Sequence, residues 1–234
     1  MIDVEGLTHR YGDTVAVDDV TLSIDEGEYV VLAGANGSGK TTLVKHFNAL
    51  LDPDDGHVRV DGVDVTDDSL AARTSVGMVF QEPRDQLVAS TIGADVAFGP
   101  ENLGLDRDEI DRRVADALRT VNMAGRADDR VDELSGGEVA RVAIAGALAM
   151  EPAHIVLDEP LAGLDAAARR SVLAHLRSLA ADGTGIVVVS HDLVDLVDDA
   201  DRIALLADGE LVRDGAPTDV VDALEEYGVR APPC

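Results

Sequence analysis

Gly34-Ala35-Asn36-Gly37-Ser38-Gly39-Lys40-Thr41-Thr42 is the stretch whose reading decides the fold. It fits G-x-x-x-x-G-K-[ST], a pattern in which glycines let successive backbone N–H groups turn inward around a phosphate. A helix starting at the end of the loop aims its free N–H groups and positive dipole end at the same anion. Lys40 adds a mobile positive charge for the outer phosphates, and Thr41 supplies a hydroxyl for Mg2+. The flanks agree. Tyr29-Val30-Val31-Leu32 is a short apolar run, as expected of a buried strand, and Leu43, Val44, Phe47 and Leu50 follow at helical spacing.

The 234 residues suffice for one large domain, or a domain with a subdomain, around a full core. Uncharged apolar runs fall far short of the ~18 residues that cross a bilayer. No basic segment followed by an apolar one opens the chain, so a cytosolic protein is expected. The single cysteine, Cys234, leaves no internal disulfide framework and no Cys-based zinc site. The net charge is −27, mostly from Asp spread along the chain, and no basic cluster suggests a nucleic-acid surface. Lys40 and Lys45 are the only lysines. Lysine has nearly vanished except where the phosphate loop requires it. This reads as adaptation to multimolar salt, where the Debye length falls to about 3 Å or less and self-repulsion is screened. An ordinary acidic mesophilic protein is the alternative.

Along the chain, Ile2 to Tyr11 begins as a short strand and Val20 to Ile24 alternates like a half-buried one. Asp52 to Gly56 breaks the phosphate-loop helix, and Val58 and Val60 lead to a hairpin signal at Asp61-Gly62. The front third therefore reads as antiparallel strands attached to an α/β core. Ser75 to Phe80 is a further strand with Gln81 at its end, either an amide oxygen for a metal or a capped loop residue. Residues 82 to 133 read as a more irregular, partly helical insertion. Within it Asp106 and Glu109 make a capping-box-like start, and Ile110, Val114, Ala117, Leu118 and Val121 mark one apolar face.

Leu134-Ser135-Gly136-Gly137-Glu138 then opens a small-residue helix that runs to Met150. Ser135 and Glu138 could form only a capping box. Two adjacent glycines in a first turn, however, weaken a helix by about 1 kcal/mol each while opening its N-terminus to an anion. Ile155 to Leu157 is a strand ending in Asp158-Glu159-Pro160, either a plain turn or a pair in which one acid orients Mg2+ and the other activates water. Leu161 to Asp165 is a loop before a helix through Arg177. Ile186 to Val189 is another buried strand, ending at Ser190-His191; the histidine is either structural or phosphate-sensing. A hairpin over 203–212 and a short helix near 218–227 close the chain.

These motifs, in this order, resemble the nucleotide-binding subunit of ATP-binding cassette (ABC) transporters over nearly the whole chain. Gly34 to Thr42 is similar to the Walker A loop, Phe80-Gln81 to the Q-loop and Leu134 to Glu138 to the signature. Ile155 to Pro160 is similar to Walker B with its glutamate, and His191 to the switch histidine. The resemblance implies an α/β P-loop NTPase (ABC ATPase) core with an antiparallel β-subdomain and a helical subdomain. The core would span about 1–80 and 134–234, and the helical part about 82–133. It implies ATP and Mg2+, with Tyr11 stacking on adenine and Gly34, Ala35, Asn36, Gly37, Ser38, Gly39, Lys40, Thr41, Thr42 and Gln81 binding ATP. Thr41, Gln81 and Asp158 would serve the metal. Glu159 would be the general base, with His191 and Lys40 on the γ-phosphate.

Ser135, Gly136, Gly137 and Glu138 would reach the nucleotide of a second ATPase subunit. Two departures stand out: Glu138 replaces the usual glutamine, and the D-loop Leu161-Ala162-Gly163-Leu164-Asp165 varies from the commoner Ser-Ala-Leu-Asp.

Val79 to Leu87 and Asp95 to Leu105 resemble the ATPase subunits of energy-coupling-factor importers, which take up cobalt, nickel, biotin and other vitamins. The resemblance implies a transmembrane subunit and a substrate-binding membrane subunit as partners, at the cytoplasmic face of the membrane. The acidic composition suggests a haloarchaeal version. A soluble ABC ATPase of the iron–sulfur assembly type is the alternative, against which the 95–105 stretch argues.

Overall fold

In the computed structural model, which describes residues 1–231, two sheets divide the strands between them. Cys234 lies outside the described residues. β1 (Ile2–Tyr11) and β2 (Thr14–Ile24) pair antiparallel, with Ile2 opposite Ile24. β3 (Tyr29–Ala33) leads into the glycine loop, and α1 (Lys40–Phe47) leaves it. β4 (Asp55–Val60) joins the other edge of β1 and turns through Asp61-Gly62 into β5 (Val63–Asp64), giving an antiparallel sheet of order β2-β1-β4-β5.

α2 (Ser69–Ser75) and β6 (Val76–Val79) follow, then α3 (Ile92–Asn102), α4 (Arg107–Thr120) and α5 (Gly136–Ala149). β7 (His154–Asp158), α6 (Ala166–Ala181), β8 (Gly185–Ser190), β9 (Arg202–Ala207), β10 (Glu210–Gly215) and α7 (Pro217–Val220) follow, and a 3-10 turn over Val221–Tyr227 continues from α7. The second sheet has the order β10-β9-β3-β8-β7-β6; β9, β3, β8, β7 and β6 are parallel and β10 is antiparallel.

β3, β7 and β8 are buried along their whole length and apolar at their centres because both of their faces are covered. Alternate residues go to opposite sides, as the pleat dictates. Val30, Leu32, Val156, Val187 and Val189 pack with Leu43, Val44 and Phe47 of α1 and with the antiparallel sheet. Val31, Ile155, Leu157, Ile186 and Val188 pack against α5 and α6. Because β3, β8, β7 and β6 lie side by side and parallel, their C-terminal ends fall on one edge. That edge receives the glycine loop, Ser190-His191, Asp158-Glu159 and Phe80-Gln81.

Several elements depart from expectation. β1 spans ten residues rather than a short run; bulges near Gly6, where φ is +58°, let it keep pairing along its length. Leu50 lies beyond the end of α1, after the Asn48 cap, and is 43% exposed. Ser75 ends a helix, and the strand begins only at Val76. That helix is fixed by Asp68, whose side chain accepts the Ala71 N–H, and only Ala72 is buried, so it carries little periodic signal. Arg112 and Arg113 engage the Glu109 carboxylate, so at α4 only the Asp106 half of the expected capping box forms. α3 carries Gly93, Gly99 and Pro100, all poor helix formers. The glycines are there for contact: a Cβ on Gly99 would come within 2.6 Å of Met150 Cγ, and one on Gly93 within 3.0 Å of Ala127 Cβ.

At the far end of β7, His154 is fully buried, and neither ring nitrogen has a hydrogen-bond partner among the described residues. Burial holds its pKa below the ordinary 6.5, and the nearby N-terminal amine adds to this against Asp61 and Glu26. The unfolded chain therefore takes up the proton first, so stability is intact above about pH 6.5 and declines as pH falls below it. His46 and His175 are depressed by burial in the same sense. Melting temperature should fall between pH 7.5 and 5.5, and His154→Met should flatten part of that decline. Parallel curves for the two proteins would refute the assignment.

Candidate active site

The glycine loop is closed by sterics. Gly39 has φ +99°, and a Cβ there would meet the Ala16 carbonyl oxygen at 2.3 Å; at Gly34 it would meet the Leu206 carbonyl oxygen at 2.3 Å. Side chains are thus excluded at Gly34 and Gly39, in a turn that borders a cleft of about 260 Å3. Ala16, Asn36, Gly37, Gly39, Lys40, Thr41, Thr42, Gln81, Asp158 and Glu159 line that cleft. Ala35 and Ser38 complete the loop; Ser38 is buried beneath it and its backbone N–H bonds the Ala35 carbonyl. Lys40 Nζ donates to the carbonyl oxygens of Gly34 (2.7 Å) and Ala35 (2.8 Å). Burial lowers the Lys40 pKa, opposed by Glu159 and Asp158.

Thr41 Oγ1 donates to Asp158 Oδ2 at 2.6 Å, joining the start of α1 to the end of β7. Burial raises the Asp158 pKa, and the Thr41 hydrogen bond opposes the rise. A hydroxyl, the Gln81 amide and a buried carboxylate on one cleft are hard oxygen donors. They fit Mg2+, which favours such donors and keeps positions for water and phosphate oxygen.

Glu159 takes a left-handed backbone, φ +50°, a strained conformation for a residue other than glycine. Its N–H remains in register, donating to the Val189 carbonyl at 2.9 Å. Its carboxylate collects three donors from the end of β8. Oε1 accepts the His191 N–H (3.0 Å) and lies 2.6 Å from His191 Nδ1, while Oε2 accepts the Ser190 hydroxyl (3.0 Å). Ser190, which the motif reading passed over, thus anchors Glu159; its one sequence signal is its place directly before His191.

The loop ahead of α3 is tied down by two residues that the sequence did not single out. Gln86 donates to the Met78 carbonyl and accepts the Phe80 N–H, and buried Asp95 accepts the N–H groups of Val88 and Ala89.

Two sets of expected residues lie apart from the cleft. Tyr11, at the end of β1, is 53% exposed, with its ring edge-on to His9 at 4.8 Å. Ser135, Gly136, Gly137 and Glu138 form the first turn of α5, where a Cβ on Gly137 would approach the Gly163 carbonyl oxygen of the D-loop to 3.2 Å. The full capping box is present: the Ser135 hydroxyl accepts the Glu138 N–H, and Glu138 accepts the Ser135 N–H. The glycines nonetheless leave the turn open, with Ser135 and Gly136 exposed.

A loop shaped to hold phosphate through its backbone, sharing a cleft with a carboxylate two strands across the sheet, is the working arrangement of a P-loop nucleotide hydrolase. The pattern of the ABC transporter family matches residues 17–162, and the chain belongs to that family as an ATP-hydrolysing cassette. It is 62% identical over 232 residues to a protein of Halobacterium salinarum named as an ABC transporter ATP-binding protein, covering 99% of this chain and all of that one. It is 46% identical over 239 residues to the cobalt import ATP-binding protein CbiO of Syntrophus aciditrophicus, covering 99% of this chain and 85% of the relative. Among solved structures, a dimeric ATP-binding cassette in a post-hydrolysis state with ADP and phosphate matches with a TM-score of 0.84 and 30% identity, over 93% of this chain and 99% of that one.

Proposed function

We propose that this chain is the ATP-hydrolysing subunit of a membrane importer of the energy-coupling-factor type that takes up a metal ion or a vitamin. Its partners would be a second ATPase subunit, a transmembrane subunit and a substrate-binding membrane subunit, and its place the cytoplasmic face of the membrane. The observation that carries this reading is an apolar groove of about 200 Å3 beside the Q-loop, lined by Met78, Leu87, Val88, Phe98 and Met150 among others. Val88 is 64% exposed and Phe98 50%, and it is their place together on one apolar groove, rather than exposure alone, that marks a contact surface. No helix among the described residues is long and apolar enough to cross a membrane. The cobalt-import relative supports the same class.

In this reading the loop from Gly34 to Thr42 wraps the phosphates, and Lys40 moves from its two carbonyl partners to the β- and γ-phosphates. Thr41, Gln81 and Asp158 hold Mg2+, which when bound offsets charge on the phosphates. Tyr11 provides the face on which adenine stacks. Glu159 takes the proton from the attacking water, and His191, turning from Glu159, holds the γ-phosphate. Ser135 to Glu138 close over the nucleotide of the second subunit. ATP then favours the closed dimer by contacts that the open one lacks.

The test is recovery of partners by Glu159→Gln protein from detergent-solubilised membranes in high salt with ATP, read by mass spectrometry. A multi-span membrane protein is expected. Phe98→Asp should reduce its recovery by about tenfold or more, since a charge in an interface core is poorly tolerated, with melting temperature and ATP affinity measured alongside. Recovery of soluble proteins alone would favour the soluble-ATPase alternative.

A further inference from the structure

Glutamate in place of glutamine at 138 sets a problem for this site. A carboxylate on the first turn of α5 competes with an incoming triphosphate for the same N–H groups and the same dipole end. In the structure both of its oxygens are already engaged. Oε2 accepts the Ser135 N–H (2.9 Å) and lies 2.7 Å from the Ser135 hydroxyl, which donates to it. Oε1 accepts from the guanidinium of Arg126 at 2.5 Å.

Arg126 is well placed to do this. The chain leaves α4 through Asn122 and Gly125, both with positive φ, and fully buried Met123 anchors the turn. The Arg126 N–H bonds the Met123 carbonyl, and its Nε is held by Asp129 at 2.6 Å. The side chains of Arg126 and Glu138 are 36% and 23% exposed, so solvent screens the contact only in part. Ser135 and Arg126 together hold the Glu138 pKa down to about 2, so the carboxylate is ionised throughout the working range.

We propose that Arg126 is a positioning residue for the nucleotide-facing turn of α5: it holds Glu138 to one side and offsets its charge, freeing the turn to receive phosphate. The Ser135 hydroxyl can serve a phosphate oxygen only after leaving Glu138. An Arg126 cation on the far oxygen weakens the near one as an acceptor and keeps the carboxylate from following. This rests on the proposed role of the signature turn at a second subunit's nucleotide.

The test uses full-length protein with Glu159→Gln as parent, in a fixed molar KCl buffer, and measures the ATP concentration that half-saturates dimer formation. Adding Arg126→Gln should raise it by about tenfold, the effect of one unbalanced charge a few ångströms from a phosphate in a half-solvated interface. Adding Glu138→Gln as well should return it to within about twofold of the parent carrying Glu138→Gln alone, since the two residues act as one unit. Arg126→Lys should restore part of the loss. A shift that persists with Gln at 138 would mean Arg126 merely supports the fold, and no shift would mean it does nothing here; either overturns the proposal. A parent that forms no ATP-dependent dimer would overturn the two-subunit reading and the inference with it, an outcome distinct from a dimer indifferent to Arg126.

Discussion

Glu159→Gln should lower ATP turnover by about 100- to 10,000-fold, the range that a positioned general base contributes, while ATP binding is retained. The substitution is nearly isosteric. The amide oxygen can still accept from His191, and the amide nitrogen can take up the Ser190 hydroxyl as acceptor, so the anchoring seen around the carboxylate is kept. Only the capacity to take a proton is lost. The strained backbone at φ +50° is also unchanged, which keeps the side chain on the cleft edge. Phosphate release gives the rate, and size exclusion with bound-nucleotide analysis should show ATP held in a dimer. Turnover within threefold of the unaltered protein would remove Glu159 from the role of base, and Asp158 would not replace it: its Oδ2 is taken up by Thr41.

The parts of this site that were legible in the sequence are those where local chemistry fixes spacing. A loop that binds phosphate through backbone N–H groups must put glycines where Cβ atoms would collide, so Gly34 and Gly39 announce it. β3, β7 and β8 are covered on both faces and read as unbroken apolar runs, which placed Asp158, Glu159 and His191 at strand ends before any fold was known. Contacts between distant residues left no such trace. Ser190 and Glu159 are 31 residues apart and Arg126 and Glu138 12, and no periodicity connects either pair. α3 was hidden for the opposite reason: its glycines, which local propensity counts against a helix, are what let it lie close to Met150 and Ala127. Tertiary contact decided that element.

Stability and ATP turnover should both rise with KCl well into the molar range. Two effects of salt oppose each other. Salt weakens the surface ion pairs, such as Arg112 with Glu109, Asp116 and Glu151, or Arg130 with Asp132. It also screens the repulsion among the acids. Exposed pairs contribute little each, whereas 46 acidic residues against 19 basic ones leave a net charge of −27 whose mutual repulsion acts over the whole surface. Between 0.1 M and 1 M salt the screening length shortens from about 10 Å to about 3 Å, which removes most repulsion between neighbouring carboxylates while the closest ion contacts persist. Relief of repulsion therefore wins, and the melting temperature should climb with KCl and with NaCl. An uncharged osmolyte at equal osmolality should not reproduce the full gain, since it does not screen. The same field opposes the approach of ATP, a polyanion, to a cleft whose one cation among the described lining residues is Lys40. So kcat/KM should continue to rise over salt concentrations at which circular dichroism shows the fold already complete. A melting temperature that is highest at 0.1 M KCl would mean that the acidic surface is not an adaptation to salt. A kcat/KM that is flat once folding is complete would confine the effect of charge to stability.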